Sequence, residues 1–307
     1  MRKAWTGIAV ASVATCVVTV AAIDVRDAAA RVARSEVQAG VEAGLHEVQA
    51  GRYREAKAVL RRAAALAEHG LGPADLDTAR VLNALGMVDK YTARYDEGAT
   101  LYRRALEIAE RARPSDPLVV ADILHNLGGL EHARERFAEG EPSARRAIEV
   151  RAAALGPDHV AVAADRAALA AILAGEGKSD EAESLLVSAI VTFDRAYGPM
   201  HVDTAVALNN LAALYQARGE LDRAEPLYRR ALAMKETLLA ADHPDIARTA
   251  NNLAVLCRRT GRLDEAAALY RRALVIFDRA LGPGHPAAIA ARANYERLRI
   301  VDTHPSR

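Results

Sequence analysis

The 307-residue chain has two cysteines, Cys16 and Cys257, and few aromatics: one Trp, three Phe and nine Tyr. Two cysteines that far apart exclude a disulfide scaffold and a cysteine-ligated zinc site. Charge of one sign is also lacking, since 41 Lys and Arg stand against 40 Asp and Glu, a net of +1. A dedicated nucleic-acid binder carries a clear basic excess, so no nucleic-acid partner is expected. With 51% hydrophobic and 26% charged residues, the chain is neither disordered nor a polytopic membrane protein. β-branched runs are sparse and alanine is the commonest residue. That composition favours helix packed closely on helix and predicts an all-α fold.

Long hydrophobic runs are missing too, with one exception. After Met1-Arg2-Lys3, residues 4–23 carry no charge. Twenty helical residues span about 30 Å, the thickness of a bilayer's hydrocarbon core. The segment reads as a signal anchor, a single hydrophobic N-terminal helix, or as a secretory signal peptide cut after Ala22. Cys16 lies inside it and is expected to be buried in the membrane. The short basic start favours an inside N-terminus, which puts residues 24 onward outside the cytoplasm, tethered or exported after cleavage. Residues 24–35 are expected as a linker.

From there the chain repeats. His159, His201, His243 and His285 stand 42 residues apart in similar contexts. With that ruler, segments starting at Val37, Ala79, Ala121, Ala163, Ala205 and Ala247 superimpose without a gap, and a truncated seventh begins at Ile289. Their eighth position holds Gly44, Gly86, Gly128, Ala170, Ala212 and Ala254. The twentieth holds Ala56, Gly98, Gly140, Ala182, Ala224 and Ala266, and the twenty-seventh Ala63, Ala105, Ala147, Ala189, Ala231 and Ala273. Columns that admit only Gly or Ala mark places where the two helices of a hairpin approach too closely for larger side chains. Gly51, Gly177, Gly219 and Gly261 fit the turn between those helices. The histidines fit helix starts, and Pro244 and Pro286 the first turn that follows.

The pattern Leu208-Asn209-Asn210-Leu211-Ala212, Tyr215, Gly219, Ala224 and Leu227-Tyr228-Arg229-Arg230-Ala231-Leu232, which recurs over Ala250–Leu274, resembles the tetratricopeptide repeat in its 42-residue, kinesin-light-chain-like form. The resemblance covers residues 36–300. It implies a right-handed superhelical solenoid of about six hairpins closed by a C-terminal capping helix, with 301–307 as a frayed tail. The first three repeats depart from the pattern at the eleventh position, where Glu47, Asp89 and Glu131 stand in place of an aromatic.

Catalytic patterns fail on inspection. Gly177-Lys178-Ser179 resembles the end of a phosphate-binding loop, but Ile172 occupies the required glycine and no strand precedes it. His46-Glu47 lacks a second histidine, because position 50 is alanine. Histidines one repeat apart do not converge on one ion, so neither metal nor cofactor is expected. Cys257 holds a core-facing position and reads as an inert thiol. The arginine pairs of the second helices, Arg61-Arg62 through Arg271-Arg272, offer either a basic stripe or a solvated face with acidic neighbours; the near-zero net charge favours the latter.

Asparagine, poor in mid-helix, holds the fifth position at Asn83, Asn209 and Asn251. It holds the sixth at Asn126, Asn210, Asn252 and Asn294. Two explanations stand: bonding between adjacent repeats, or display of a donor and an acceptor to a peptide backbone. The resemblance implies that the first helices line a concave groove in which such amides hold an extended peptide. Arg248, Arg258 and Arg259, with Arg80 and Lys90, add basic ends to a groove whose fourth repeat offers Ala164, Ala167, Ala168, Ala171 and Ala174. The function expected is a non-enzymatic scaffold for a protein or peptide partner. The alternative is a regulator whose superhelix closes on a small ligand.

Overall fold

The computed structural model describes the backbone of residues 8–303 and the side chains of residues 27–298. Among them are thirteen helices and no strand. They pair as hairpins: α1 (Ile8–Gln49) with α2 (Tyr53–Gly70), α3 (Leu76–Tyr91) with α4 (Tyr95–Arg111), and α5 (Pro117–Ala133) with α6 (Phe137–Leu155). The next three are α7 (Val160–Gly175) with α8 (Ser179–Tyr197), α9 (Val202–Ala217) with α10 (Leu221–Leu238), and α11 (Pro244–Arg259) with α12 (Leu263–Ala280). Helix α13 (Pro286–Thr303) ends the stack and buries Ala288, Ala291 and Leu298. The backbone of each odd helix lies close to that of the next odd helix, whereas among the described residues even helices meet one another only through long side chains. The odd helices therefore form the inner, concave layer and the even helices the outer one.

The small-residue columns are the seams of these hairpins: all eighteen Gly and Ala positions are buried. Gly86 shows why. A Cβ there would stand 2.6 Å from Tyr102 Cε1, because the ring of the outer helix presses on the inner backbone. The histidines cap the inner helices, with Nδ1 of His159, His201, His243 and His285 accepting a backbone N–H two residues on at 3.1–3.3 Å. In the second repeat Asp75 does the same work, accepting from the Asp77 N–H at 2.8 Å.

The acids at the eleventh position are accommodated by ion pairs. Asp89, 4% exposed, accepts from Lys57 of the preceding hairpin, and Glu131 meets Arg134 at 3.3 Å. In the fifth repeat the aromatic is present: the Tyr215 hydroxyl donates to Glu183 at 2.7 Å beneath the Arg223 guanidinium.

The N-terminal part differs from expectation in one place. Residues 24–35 continue without a break as helix α1, and Arg34 pairs with Asp75 of the second hairpin at 2.8 Å. The apolar segment 4–23 lies outside the residues whose side chains are described. Among the described residues no helix is long and apolar enough to cross a membrane. Of the tail, 304–307 lie outside the described residues, and α13 runs to Thr303.

The stack also curls far enough to meet itself. Nε2 of His243 lies 2.9 Å from the Gln49 carbonyl, and Nε2 of His285 lies 3.1 Å from that of Tyr91. The first two hairpins thus touch the start of the sixth and the capping helix, and Leu281 packs against the apolar cluster of the first two hairpins.

Candidate functional site

The inner face of the first four repeats encloses a cavity of about 500 Å³. Val41, Leu45 and Val48 of α1 form one wall, with Ala84 and Met87 of α3 beside them. Val119 of α5 and Ala161 and Ala164 of α7 complete the apolar lining. An equal number of lining residues is polar or charged: Gln49, Arg80, Asn83, Asp122, His125, Asn126, Arg151 and Asp165. A concavity that combines apolar walls with placed polar groups is the usual form of a recognition site.

The asparagines form rungs between repeats. Asn126 Nδ2 donates to Asn83 Oδ1 at 3.0 Å, Asn252 to Asn209 at 3.3 Å, and Asn294 to Asn251 at 3.4 Å. Each rung joins the fifth position of one repeat to the sixth position of the next. One bond uses one donor and one acceptor of the two amides, which leaves the Asn83 NH2 and the Asn126 carbonyl oxygen outside the rung, on residues that line the cavity. Asn210 stands apart: its counterpart one repeat back is Ala167, so it forms no rung and accepts only from its neighbour Asn209 at 3.3 Å.

Where the rungs stop, a charged cluster takes over. Asp165 of α7 is 2% exposed. It receives Arg151 Nε at 2.7 Å and meets His125 Nδ1 at 2.7 Å, while Arg151 Nη2 also reaches Asp122 at 2.9 Å. Burial works against the Arg151 charge, yet the two carboxylates outweigh it and hold the guanidinium above its ordinary value. The alanines of the fourth repeat are present on this face, but the groove there is not wholly apolar. Arg151 escaped sequence reasoning because it sits on an outer helix, in a column that elsewhere holds Ala67, Ala109, Phe193 and Phe277. A basic residue in that column was the available signal, and Lys235 repeats it.

The three arginines of α11 do not act together. Arg248 sits at the start of the helix, half-exposed, with Asp245 at 3.3 Å raising its pKa most and burial opposing. Its charge also acts on Tyr53, Tyr91 and Tyr95, so the curl of the stack brings it across to the first two repeats. Arg259, about 16 Å farther along, donates to the Gln216 carbonyl at 2.7 Å and closes the end of α9. Arg258 lies between, its Nε buried. Lys90 rests over the Tyr91 ring at 4.9 Å. Together with Arg248 it depresses the pKa of His132, an effect led by burial.

The arginine pairs on the outer helices face acids of adjacent repeats. Arg104 meets Glu68 at 2.7 Å and Arg146 meets Glu110 at 2.7 Å, one repeat back. Arg145 reaches forward to Glu181 at 2.9 Å and Arg229 to Glu265 at 2.7 Å. Exposed pairs of this kind contribute little each, but they offset part of the positive charge on the convex face. Among the described residues no cluster of His, Cys, Asp or Glu has metal-holding geometry. Cys257 is fully buried, and burial pushes its thiol up to about 11.

Three solved structures share the architecture. BtubC (BKLC) from P. vanneervenii is 24% identical, with 85% of this chain and 94% of that one covered at a TM-score of 0.50. A putative kinesin light chain repeat protein of Podosopora anserina is 18% identical over 67% of this chain and 97% of its own, at 0.51. A Rap protein complexed with Competence and Sporulation Factor is 13% identical over 88% and 89%, at 0.55. No curated protein matches the chain in sequence. The tetratricopeptide-repeat model matches residues 38–111, 119–194, 166–237 and 238–299. Hairpins, seams and turns all follow that repeat, and the chain belongs to the tetratricopeptide-repeat family.

Proposed function

We propose that the protein is a non-enzymatic scaffold that holds an extended segment of a protein or peptide partner along its concave face. The observation that carries this reading is the cavity of about 500 Å³ on the inner helices, apolar along its walls and edged by amides with unused donors and acceptors. An extended backbone has one donor and one acceptor per residue, which side-chain amides can match without reading sequence. Apolar walls would then take alternate side chains of the segment. Arg248 and Lys90 give the same face basic groups for an acidic side chain or a free carboxylate. Asn83, Asn126, Asn209, Asn210, Asn251 and Asn252 form the backbone-reading row, with Arg258 and Arg259 at its end.

Affinity for a panel of extended peptides with an apolar centre and an acidic end tests the reading, using the full chain and Asn210→Ala. Asn210 carries no rung, so a fall of about tenfold, the loss of one or two good hydrogen bonds, is expected without loss of helicity. Unchanged binding, or no binding by any peptide, would remove the groove assignment. A second reading, a regulator whose superhelix responds to a ligand, is favoured by the contact between the first and last repeats, because breaking it changes the inner volume. The uncharged run 4–23 supports a membrane-bound or exported location, which protease accessibility in intact cells and spheroplasts tests.

A further inference from the structure

Two of the four capping histidines have a second partner. His243 Nδ1 accepts the Asp245 N–H at 3.1 Å while Nε2 faces the Gln49 carbonyl at 2.9 Å. His285 Nδ1 accepts the Ala287 N–H at 3.1 Å while Nε2 faces the Tyr91 carbonyl at 3.1 Å. Gln49 and Tyr91 are the last residues of α1 and α3, so each histidine joins the start of one helix to an otherwise orphan carbonyl at the end of another. Both contacts span 194 residues. The two histidines, like the two carbonyls, are one repeat apart, and a single register relates both contacts. Around them a Cβ on Gly51 would come within 2.8 Å of Pro244 Cδ, and Leu281 packs on the first hairpins. His159 and His201 cap their helices in the same way, yet among the described residues neither reaches a distant carbonyl.

We propose that His243 and His285 are a pH-releasable latch that holds the solenoid as a closed ring and controls access to its concave face. A carbonyl only accepts, so Nε2 carries the proton. Nδ1 accepts a backbone N–H, so Nδ1 carries none. Both contacts therefore require the neutral imidazole in one tautomer. A proton on Nδ1 would place donor against donor and a positive charge at a helix N-terminus, where the dipole repels it. The ring must then turn, and the same rotation takes Nε2–H off the carbonyl.

The charged surroundings are mixed. Asp245 on α11 acts on His243 and itself feels Arg248 on α11, Lys235 on α10 and Lys90 on α3, while Arg52, just past α1, pairs with Glu47 and feels Asp242. His285 feels Arg248 on α11 and the Tyr91 backbone at the end of α3; Lys90 lies over the Tyr91 ring, and Asp278 of α12 pairs with Arg292 of α13. Burial, opposed by the Tyr91 hydrogen bond and aided by Arg248, holds His285 below the usual histidine range. The sign follows for His285. Because it binds its proton less readily in the ring than when released, its contact is intact above the ordinary histidine pKa and weakens as pH falls.

This proposal does not rest on the peptide reading, because ring opening is measurable without a ligand. The test is small-angle scattering of the full chain at pH 7.5 and 5.0, with far-ultraviolet circular dichroism recorded alongside. The variants are His243→Asn with His285→Asn, and His159→Asn with His201→Asn as control. Asparagine caps a helix well, holds no titratable proton, and is too short to reach the distant carbonyl. The wild type should show a rise in radius of gyration at pH 5.0 with helicity kept. The His243/His285 variant should already be expanded at pH 7.5 and change no further, and the control should behave as wild type. A His243/His285 variant as compact as wild type at pH 7.5, or one that expands with acid as wild type does, would overturn the latch. So would expansion accompanied by loss of helix.

Discussion

Every hairpin of this solenoid turns through one residue in the left-handed region: Gly51, Ala93, Glu135, Gly177, Gly219 and Gly261. Four are glycine; Ala93 and Glu135 hold φ of 58° and 59° with a side chain attached. In that region a Cβ costs roughly 1–2 kcal/mol through its approach to the following carbonyl. Replacing Ala93 or Glu135 by glycine removes the clash but adds freedom to the unfolded chain, which offsets about 0.4–1 kcal/mol. Each substitution should therefore stabilise by roughly 0.5–1 kcal/mol, and the pair by roughly 1–2, since the two turns share no partner. The reverse change is a clean control. A Cβ at Gly219 has no heavy atom within 4 Å, so Gly219→Ala should lose roughly 0.5–1 kcal/mol from conformation alone. Gly51→Ala should lose more, because its Cβ also meets Pro244 at 2.8 Å. Urea unfolding followed by circular dichroism reads the series; repeat arrays need not unfold in one step, so midpoints are compared in rank order. An Ala93→Gly/Glu135→Gly protein that unfolds at lower urea than wild type would refute the reasoning, as would a Gly219→Ala protein indistinguishable from it.

Three other perturbations read the interior. Lys235 is 2% exposed, and burial pulls its pKa down to about 8; Lys235→Met should stabilise by about 3 kcal/mol at pH 7. Below pH 8 the lysine is charged in both states and the burial penalty is complete. Between 8 and 10.5 only the unfolded chain keeps the proton, so wild-type stability rises and the advantage of the variant shrinks, as denaturation at several pH values would show. Thr249 keeps its bond to the Asp245 carbonyl at 3.2 Å in that variant. Arg151→Ala leaves the buried Asp165 carboxylate with His125 as its remaining partner and should cost roughly 3 kcal/mol, whereas Arg151→Met combined with Asp165→Leu should recover much of the loss in the same denaturation assay. Asn252→Ala removes the donor to Asn209 and should cost about 1 kcal/mol, while Asn210→Ala should stay within about 0.5 kcal/mol of wild type.

Much of this architecture is written locally. The Gly and Ala columns are legible because a hairpin seam excludes larger side chains at fixed positions, as the Tyr102 ring over Gly86 shows. The histidine column is legible as caps because each imidazole serves a backbone N–H two residues away. What is not legible arises over distance. The meeting of His243 with Gln49 depends on small rotations accumulated over five repeats, and no residue records their sum. The exchange of an aromatic for Asp89 makes sense only once Lys57 is seen to reach it from the previous hairpin. Arg151 was hidden by its column, and its carboxylate partner stands among the alanines that read as a smooth apolar floor. The amide rungs lay halfway: asparagine in mid-helix called for an explanation, and the fold supplies bonds between repeats for three pairs while leaving Asn210 without one.

The concave face as a binding surface is tested most directly by mapping where a partner lands. Amide hydrogen exchange of the full chain, with and without the tightest peptide from the panel, separates the two layers of helices. Added protection concentrated in the inner α3, α5, α7 and α9, with the outer α4, α6, α8 and α10 unchanged, is the predicted result. Protection on the outer helices, or none at saturating peptide, would contradict it.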